Sequence, residues 1–256
     1  MRKQKERNSI VIIVAYVVLG IISFMCIAPV VLMAVASFTD NDVLNLYGYT
    51  YFPQKWSLEA YEFLIKQGTV ISKSFLNSIL VTFMGTALGI MVTVLLAYTI
   101  SRKELVGRKL IMLFVFFTML FNGGMVPTYL MYTQIFHIKN TMWALLFPHL
   151  LVNGFNVLLV RTFFNENIPE VLLEAARIDG AGEISIFRNV VLPISKPILA
   201  TIGLLVGVGY WNDWYNGLLF VTDVNYYTLQ NFLNKIMTDL PVSYTHLRAH
   251  ETLMNL

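Results

Sequence analysis

Residues 167–199 read NIPEVLLEAARIDGAGEISIFRNVVLPISKPIL. The stretch is charged and rich in small side chains, and Pro169, Gly180, Gly182, Pro193 and Pro197 punctuate it. Asn167 is a helix-capping residue type, and Pro169 suits a first turn, where a missing N–H costs nothing. Glu170 suits the positive N-terminal end of a helix dipole. Leu172, Leu173, Ala175 and Ala176 favour helix, and Gly180 and Gly182 can end it and turn the chain. A second amphipathic piece, EISIFRNVV, places Ile184, Phe187 and Val191 at helical spacing, and LPISKP then stops it. The expectation is a short helix–turn–helix lying flat at a membrane surface. Physics alone leaves two uses open: a slim knob for another protein's cleft, or a helix resting on lipid.

The membrane enters through the flanks. The chain has 256 residues, 57% of them hydrophobic and 13% charged, whereas soluble domains carry about a quarter charged residues. Apolar runs long enough to cross a bilayer, about 20 residues each, fall at 9–37, 74–100, 110–132, 141–160 and 198–220. The first exceeds a secretory apolar core and lacks a small-x-small cleavage site, so it reads as a retained helix. The fold class expected is all-α, a polytopic membrane protein with five transmembrane helices.

Orientation follows from Lys and Arg. With a cytoplasmic N-terminus, each inside segment holds four: Arg2, Lys3, Lys5 and Arg7; Arg102, Lys103, Arg108 and Lys109; Arg161, Arg177, Arg188 and Lys196. The outside segments hold Lys55, Lys66 and Lys73, then Lys139, then Lys235. The quoted loop then faces the cytoplasm. A net charge of +3 gives no nucleic-acid signature, and the single Cys26 excludes an internal disulfide.

Several chemistries lack their residues. There is no G-x-x-x-x-G-K-[ST] phosphate loop, no H-E-x-x-H metal motif and no G-x-S-x-G nucleophile turn. An intramembrane enzyme is therefore disfavoured, and no metal site is expected. Ion-coupled transporters bury ionisable groups in their spans; here the spans hold only His149 and Asp213. Asp213, beside Asn212 and Trp211, reads either as pathway-lining or as interfacial. A secondary transporter stays as the alternative class. GTALG, residues 85–89, is a small-xxx-small match that reads as close helix packing. Tyr47, Tyr49, Tyr51, Phe52 and Trp56 read as an interfacial belt, or as a partner-binding surface.

The motif decides between these uses. EAARIDGAGEISIFRNVVLPISKPIL resembles the EAA loop of ABC importer permeases: Glu174, Ala175, Ala176, Asp179, Gly180, Ala181, Leu192, Pro193 and Pro197 match the family pattern. FPQKWSLEAYEFL, the pair Asn77 and Ser78, AYTISR at 97–102, GGMVPTYLM at 123–131 and WND at 211–213 resemble the carbohydrate branch, near the inner permease of the maltose importer. The resemblance implies a type I ABC importer permease fold with six spans. It implies a transmembrane domain over 1–241, with the coupling loop at about 165–197. It implies a bacterial plasma-membrane permease that imports a sugar or oligosaccharide, or alternatively a non-sugar solute. The implied partners are a second permease in a heterodimer, two cytoplasmic ATPase subunits, an extracellular or periplasmic binding protein, and membrane lipid. This chain binds no cofactor in that picture; ATP and Mg sit on the ATPase subunits.

The end of the chain departs from the pattern. Where a sixth span is expected, PVSYTHLRAHETLMNL turns polar. VSYTHLRAHET reads as a translated sequencing adapter, so residues 242–256 are expected to be non-native and His246 and His250 not to form a metal site.

Overall fold

The computed structural model describes residues 2–148 and 150–238, with side-chain surroundings from Val11 onward. His149, the tail at 242–256 and the expected sixth span lie outside the described residues. The chain divides into two compact units after Thr69.

The first unit is built on α1 (Arg2–Ser37), followed by α2 (Asn41–Tyr47) and α3 (Glu59–Lys66). The apolar run of α1 forms one uninterrupted helix, and none of its most apolar window is buried. Beyond it the loop is tied locally. Thr39 and Trp56 form an isolated antiparallel bridge. Asp40 accepts from the Asp42 N–H at 3.1 Å and pairs with Lys55 at 2.6 Å. Phe38 stacks on Tyr61 with ring centroids 5.0 Å apart. The five belt aromatics are exposed, Phe52 at 91%.

In the second unit the central element is α4 (Gly68–Ser101). It is followed by α5 (Arg108–Leu120), α6 (Met125–Leu130), α7 (Trp143–Leu146) and α8 (Gly154–Asn167). Then come α9 (Glu170–Ile178), α10 (Glu183–Ile186), α11 (Leu192–Ile194), α12 (Lys196–Trp211) and α13 (Tyr215–Phe220). Residues 229–238 are helical. No strand occurs among the described residues.

Glycines set the distance between α4 and α12. A Cβ on Gly85 would stand 2.5 Å from Cζ of Tyr210, and one on Gly89 would stand 3.0 Å from Val206. From the other side, a Cβ on Gly207 would meet Thr86 at 3.3 Å. The GTALG stretch thus packs inside this subunit, as small-residue seams do where lipid offers no hydrophobic drive. Tyr210 is 2% exposed and donates its hydroxyl to the Leu146 carbonyl at 2.7 Å. That bond satisfies a polar group that burial would otherwise penalise.

The five expected spans are not five straight helices. Among the described residues two helices, in α1 and α4, have the length and apolarity to cross a bilayer, or up to four if two bent pairs each count as one. The third run bends by 115° between Arg108–Leu120 and Met125–Ile135. Gly124 adopts φ +84° there, and Asn122 accepts its N–H at 2.9 Å, closing a tight turn. The fourth run is two helices, α7 and α8, with a break between them that holds Pro148 and ends at the capping residue Asn153. The fifth run, 198–220, starts within α12 and breaks before α13; just ahead of it the chain bends by 81° between Glu183–Ile194 and Lys196–Trp211. Pro193 and Pro197 explain the 81° bend, since each withholds the N–H that a continuous helix needs. Broken helices are tolerated at membrane depth where the freed backbone groups find partners.

Candidate functional site

The loop follows the expected helix–turn–helix with three changes. Asn167 does not cap α9; it closes α8, and its side-chain amide donates back to the Phe163 carbonyl at 3.1 Å. Pro169 is itself the residue before the helix, extended at ψ 130°. Gly182 does not turn the chain; its φ of −72° is ordinary, and it precedes α10.

Gly180 ends α9 alone, at φ +81°. The Ala181 N–H bonds to the Ala176 carbonyl at 2.9 Å, and the Gly180 N–H bonds to the Arg177 carbonyl at 3.0 Å. These two bonds form a Schellman closure, which needs a left-handed residue and therefore favours glycine. Ala176 and Ala181 pack partly buried against the core on the inner side of that closure. No atom lies within 4 Å of a Cβ built on Gly180, so its requirement is conformational and not a matter of space.

The loop has an inner and an outer face. Leu173, Ile186 and Val191 are buried. Ile178 and Ile184 are exposed at 86% and 85%, and Val171 at 72%. Ile184 therefore leaves the amphipathic set expected for it, and the outward apolar knob is Val171, Ile178 and Ile184. Glu174, Ala175 and Asp179 are exposed beside them. The Glu174 side chain makes no hydrogen bond or ion pair among the described residues. Leu192 is half-buried and Pro193 exposed. After α10 the helix widens to a π-helical turn, Phe187–Val191, where the Leu192 N–H reaches the Phe187 carbonyl five residues back. Such turns gather at functional positions.

An ionic network binds this loop to the end of α4. Tyr98 donates its hydroxyl to Glu183 Oε2 at 2.8 Å. Arg177 pairs with Glu183 at 2.9 Å and with Glu104 at 2.7 Å. The Arg102 guanidinium stands 4.3 Å from the centroid of the Tyr98 ring, and Phe187 packs on that ring at 4.9 Å. Lys103 pairs with Glu170 at 2.6 Å. The Arg177 guanidinium holds the Glu104 carboxyl below the ordinary value of 4.5, and the two carboxylates raise Arg177 in turn. Sequence reasoning reached AYTISR as a pattern but gave no role to Tyr98, Glu104, Arg177 or Glu183. One signal was present: Tyr98 and Arg102 are four apart, where helix side chains meet.

The two polar positions near the other end of α12 have structural duties. Asn212 closes α12 through its N–H to the Val208 carbonyl at 3.1 Å. Asp213 is half-buried, and its carboxylate accepts from the Asn216 N–H at 3.2 Å, turning the chain into α13. The described residues contain no group of three or more His, Cys, Asp or Glu placed to hold a metal ion.

Residues 85–242 match the family described as binding-protein-dependent transport system inner membrane component. The chain is 36% identical to the polygalacturonan/rhamnogalacturonan transport system permease protein YtcP of Bacillus subtilis (strain 168), over 90% of this chain and 79% of that one. It is 31% identical to the trehalose/maltose transport system permease protein MalG of Thermococcus litoralis, over 86% of this chain and 78% of that one. Among solved structures it resembles a chain of a bacterial ABC transporter involved in the import of the acidic polysaccharide alginate. There the TM-score is 0.80 at 28% identity, covering 91% of this chain and 82% of the other.

Proposed function

The chain belongs to the family of binding-protein-dependent transport system inner membrane components, and from that premise we propose that its loop at 170–195 couples a partner ATPase to a carbohydrate pathway. The protein is a membrane-located transport subunit of an ABC importer, and it is not an enzyme. ATPase and solute-binding partners follow from that membership. A heterodimer with a second permease, a cytoplasmic N-terminus, and ATP and Mg held on the ATPase subunits are the finer parts of this reading. The cargo is a sugar or oligosaccharide, since the relatives named above carry polygalacturonan, rhamnogalacturonan, trehalose, maltose or alginate in their descriptions.

One observation carries the coupling role. The knob of Val171, Ile178 and Ile184 faces away from the core with Glu174 and Asp179 beside it, while the inner face is tied to α4 by Tyr98, Glu104, Arg177 and Glu183. A surface that is apolar outside and anchored inside suits docking into a cleft and passing the force inward. A loop resting on lipid has no need of the ionic anchor. In this reading Asn212 and Asp213 stand beside the pathway as well as capping their helices.

The test is reconstitution. Vesicles holding this subunit with its partner permease, ATPase and binding protein accumulate sugar on ATP. Vesicles holding this subunit alone accumulate none, and ATP-independent accumulation by it would sink the proposal.

A further inference from the structure

Behind the coupling loop lies a cavity of about 580 Å³. Its wall draws on the end of α4, the start of α5, the second half of α8 and the first turns of α9. Five of the wall residues are basic: Arg102, Lys103, Arg108, Arg161 and Arg177. Three are acidic: Glu104, Glu166 and Glu170. Two of the basic groups are matched, since Lys103 pairs with Glu170 and Arg177 with Glu104.

The remaining charges do not balance. Arg102 lies over the Tyr98 ring, and its Nε is buried with no acceptor. Arg161 donates only to the Ile100 carbonyl, at a long 3.4 Å. The Arg108 side chain makes no hydrogen bond or ion pair among the described residues, its backbone N–H going to the Leu105 carbonyl at 3.4 Å. Glu166 is the one carboxylate on the wall outside an ion pair among the described residues. Three guanidinium groups from separate stretches of the chain thus line one space without an ion pair among the described residues, and Glu166 is the one wall carboxylate left unpaired beside them. Glu104 and Glu183 act on Arg102 only through longer-range attraction. Like charges gathered in a partly enclosed space repel unless an anion joins them.

We propose that this cavity is a binding site for a phosphate group. Guanidinium forks match phosphate oxygens two at a time, and three forks from separate stretches of the chain suit a tetrahedral anion better than a planar carboxylate. The volume leaves room for more than a bare phosphate, as a glycerol-linked phosphate would need. Two sources share that chemistry: the headgroup of an anionic phospholipid, which basic pockets beside membrane helices attract, and a soluble phosphate. The site rests on the membrane placement of the chain and does not require the loop's coupling role.

The experiment uses the assembled importer, stripped of lipid in detergent and followed by native mass spectrometry. The probes are dioctanoyl phosphatidylglycerol, dioctanoylglycerol without phosphate, and inorganic phosphate. Phosphatidylglycerol is expected to stay bound where dioctanoylglycerol does not. Arg108→Gln and Arg161→Gln are each expected to weaken it about tenfold, the scale of one lost charge-assisted contact. Glu166→Gln is expected to tighten it several-fold by removing the opposing charge. If inorganic phosphate binds as well as the lipid and shows the same three responses, the site is real and its source is soluble. Failure of both phosphate probes to exceed dioctanoylglycerol overturns the proposal, as does unchanged binding in both arginine variants. Should the arginine variants fail to assemble, Glu166→Gln decides alone: binding that does not tighten rejects the site.

Discussion

Helix α4 is stitched to the rest of its unit at both ends, and the two seams use different chemistry. Near its start, Asn77 donates one amide hydrogen to the Asn225 carbonyl at 2.9 Å and the other to the Tyr227 carbonyl at 3.0 Å. Ser78 accepts the Leu229 N–H at 2.8 Å, and Lys73 reaches the Asn225 side chain at 2.6 Å. Asn77 and Ser78 are buried, at 8% and 3% exposure. At its far end the seam is ionic, and its members stay wet: the Arg177 side chain is 33% exposed, Glu183 54% and Glu104 57%. A buried amide seam is costly to open, because each freed group loses a partner and finds no water. A wet ionic seam exchanges partners cheaply. The difference distinguishes a drier seam from a wetter one, and the wetter seam holds the loop proposed to couple: in that proposal the first is the fixed end and the second the working end.

Breaking the fixed end is expected to do the most damage. Asn77→Leu strands the buried Tyr227 carbonyl at roughly 1–3 kcal/mol and frees the more exposed Asn225 carbonyl to water, so the assembled protein melts earlier and uptake falls in step with the folded fraction. A thermal scan of the purified complex alongside transport checks both. If uptake falls while the melting midpoint holds, the start of α4 is not the static end.

Tyr98→Phe is expected to do less to stability and more to coupling. It keeps the ring under Arg102 and beside Phe187 and removes one hydrogen bond to a carboxylate, about 1.5 kcal/mol or somewhat more. The ratio of sugar imported to ATP hydrolysed is the measurement, and it should drop while ATPase association persists. An unchanged ratio would show that the ionic seam is only structural.

Gly180→Ala forces a Cβ into the left-handed conformation, at about 1 kcal/mol, and Gly180→Asn costs less because Asn tolerates that region. Transport activity should therefore rank Gly, then Asn, then Ala. Equal loss for Asn and Ala would point to space and not to φ as the constraint.

The smallest effects lie in the individual ion pairs. Lys103→Gln removes an exposed pair that is worth roughly 0.2–1 kcal/mol, and stability should barely move. Acid gives a sign to the Glu104 contact. Its carboxyl sits below the ordinary 4.5 when folded, so the Arg177 pair contributes fully above that value and is lost as pH falls through the depressed one. The gap in melting midpoint between the native chain and Glu104→Gln should close as pH drops below 4.5.

What the sequence could announce was what is local. The long runs of α1 and α4 were legible because nothing interrupts them, and Gly180 because only a few residues accept its conformation. The breaks were legible in residue type but not in consequence. Gly123 and Gly124 sat inside an apolar run whose mean hydropathy hid a 115° turn. Asn167 closes α8 where its residue type suggests the start of α9, because a capping residue type can close one helix as readily as open the next. The ionic seam was not legible, since Tyr98 lies 85 positions from Glu183 and Arg177 lies 73 from Glu104. No periodicity spans such distances. The family resemblance located the loop and left its anchor unseen.

The contact between Gly85 and Tyr210 limits how α4 can move. The ring occupies the place a side chain on Gly85 would need, and its hydroxyl is held by the Leu146 carbonyl. Turning α4 about its own axis in either direction would bring Met84 or Thr86 against that ring. Spin of α4 is therefore opposed by the packing at Gly85. In the proposed coupling, a pull applied at the ionic end would then act on a helix that cannot spin freely.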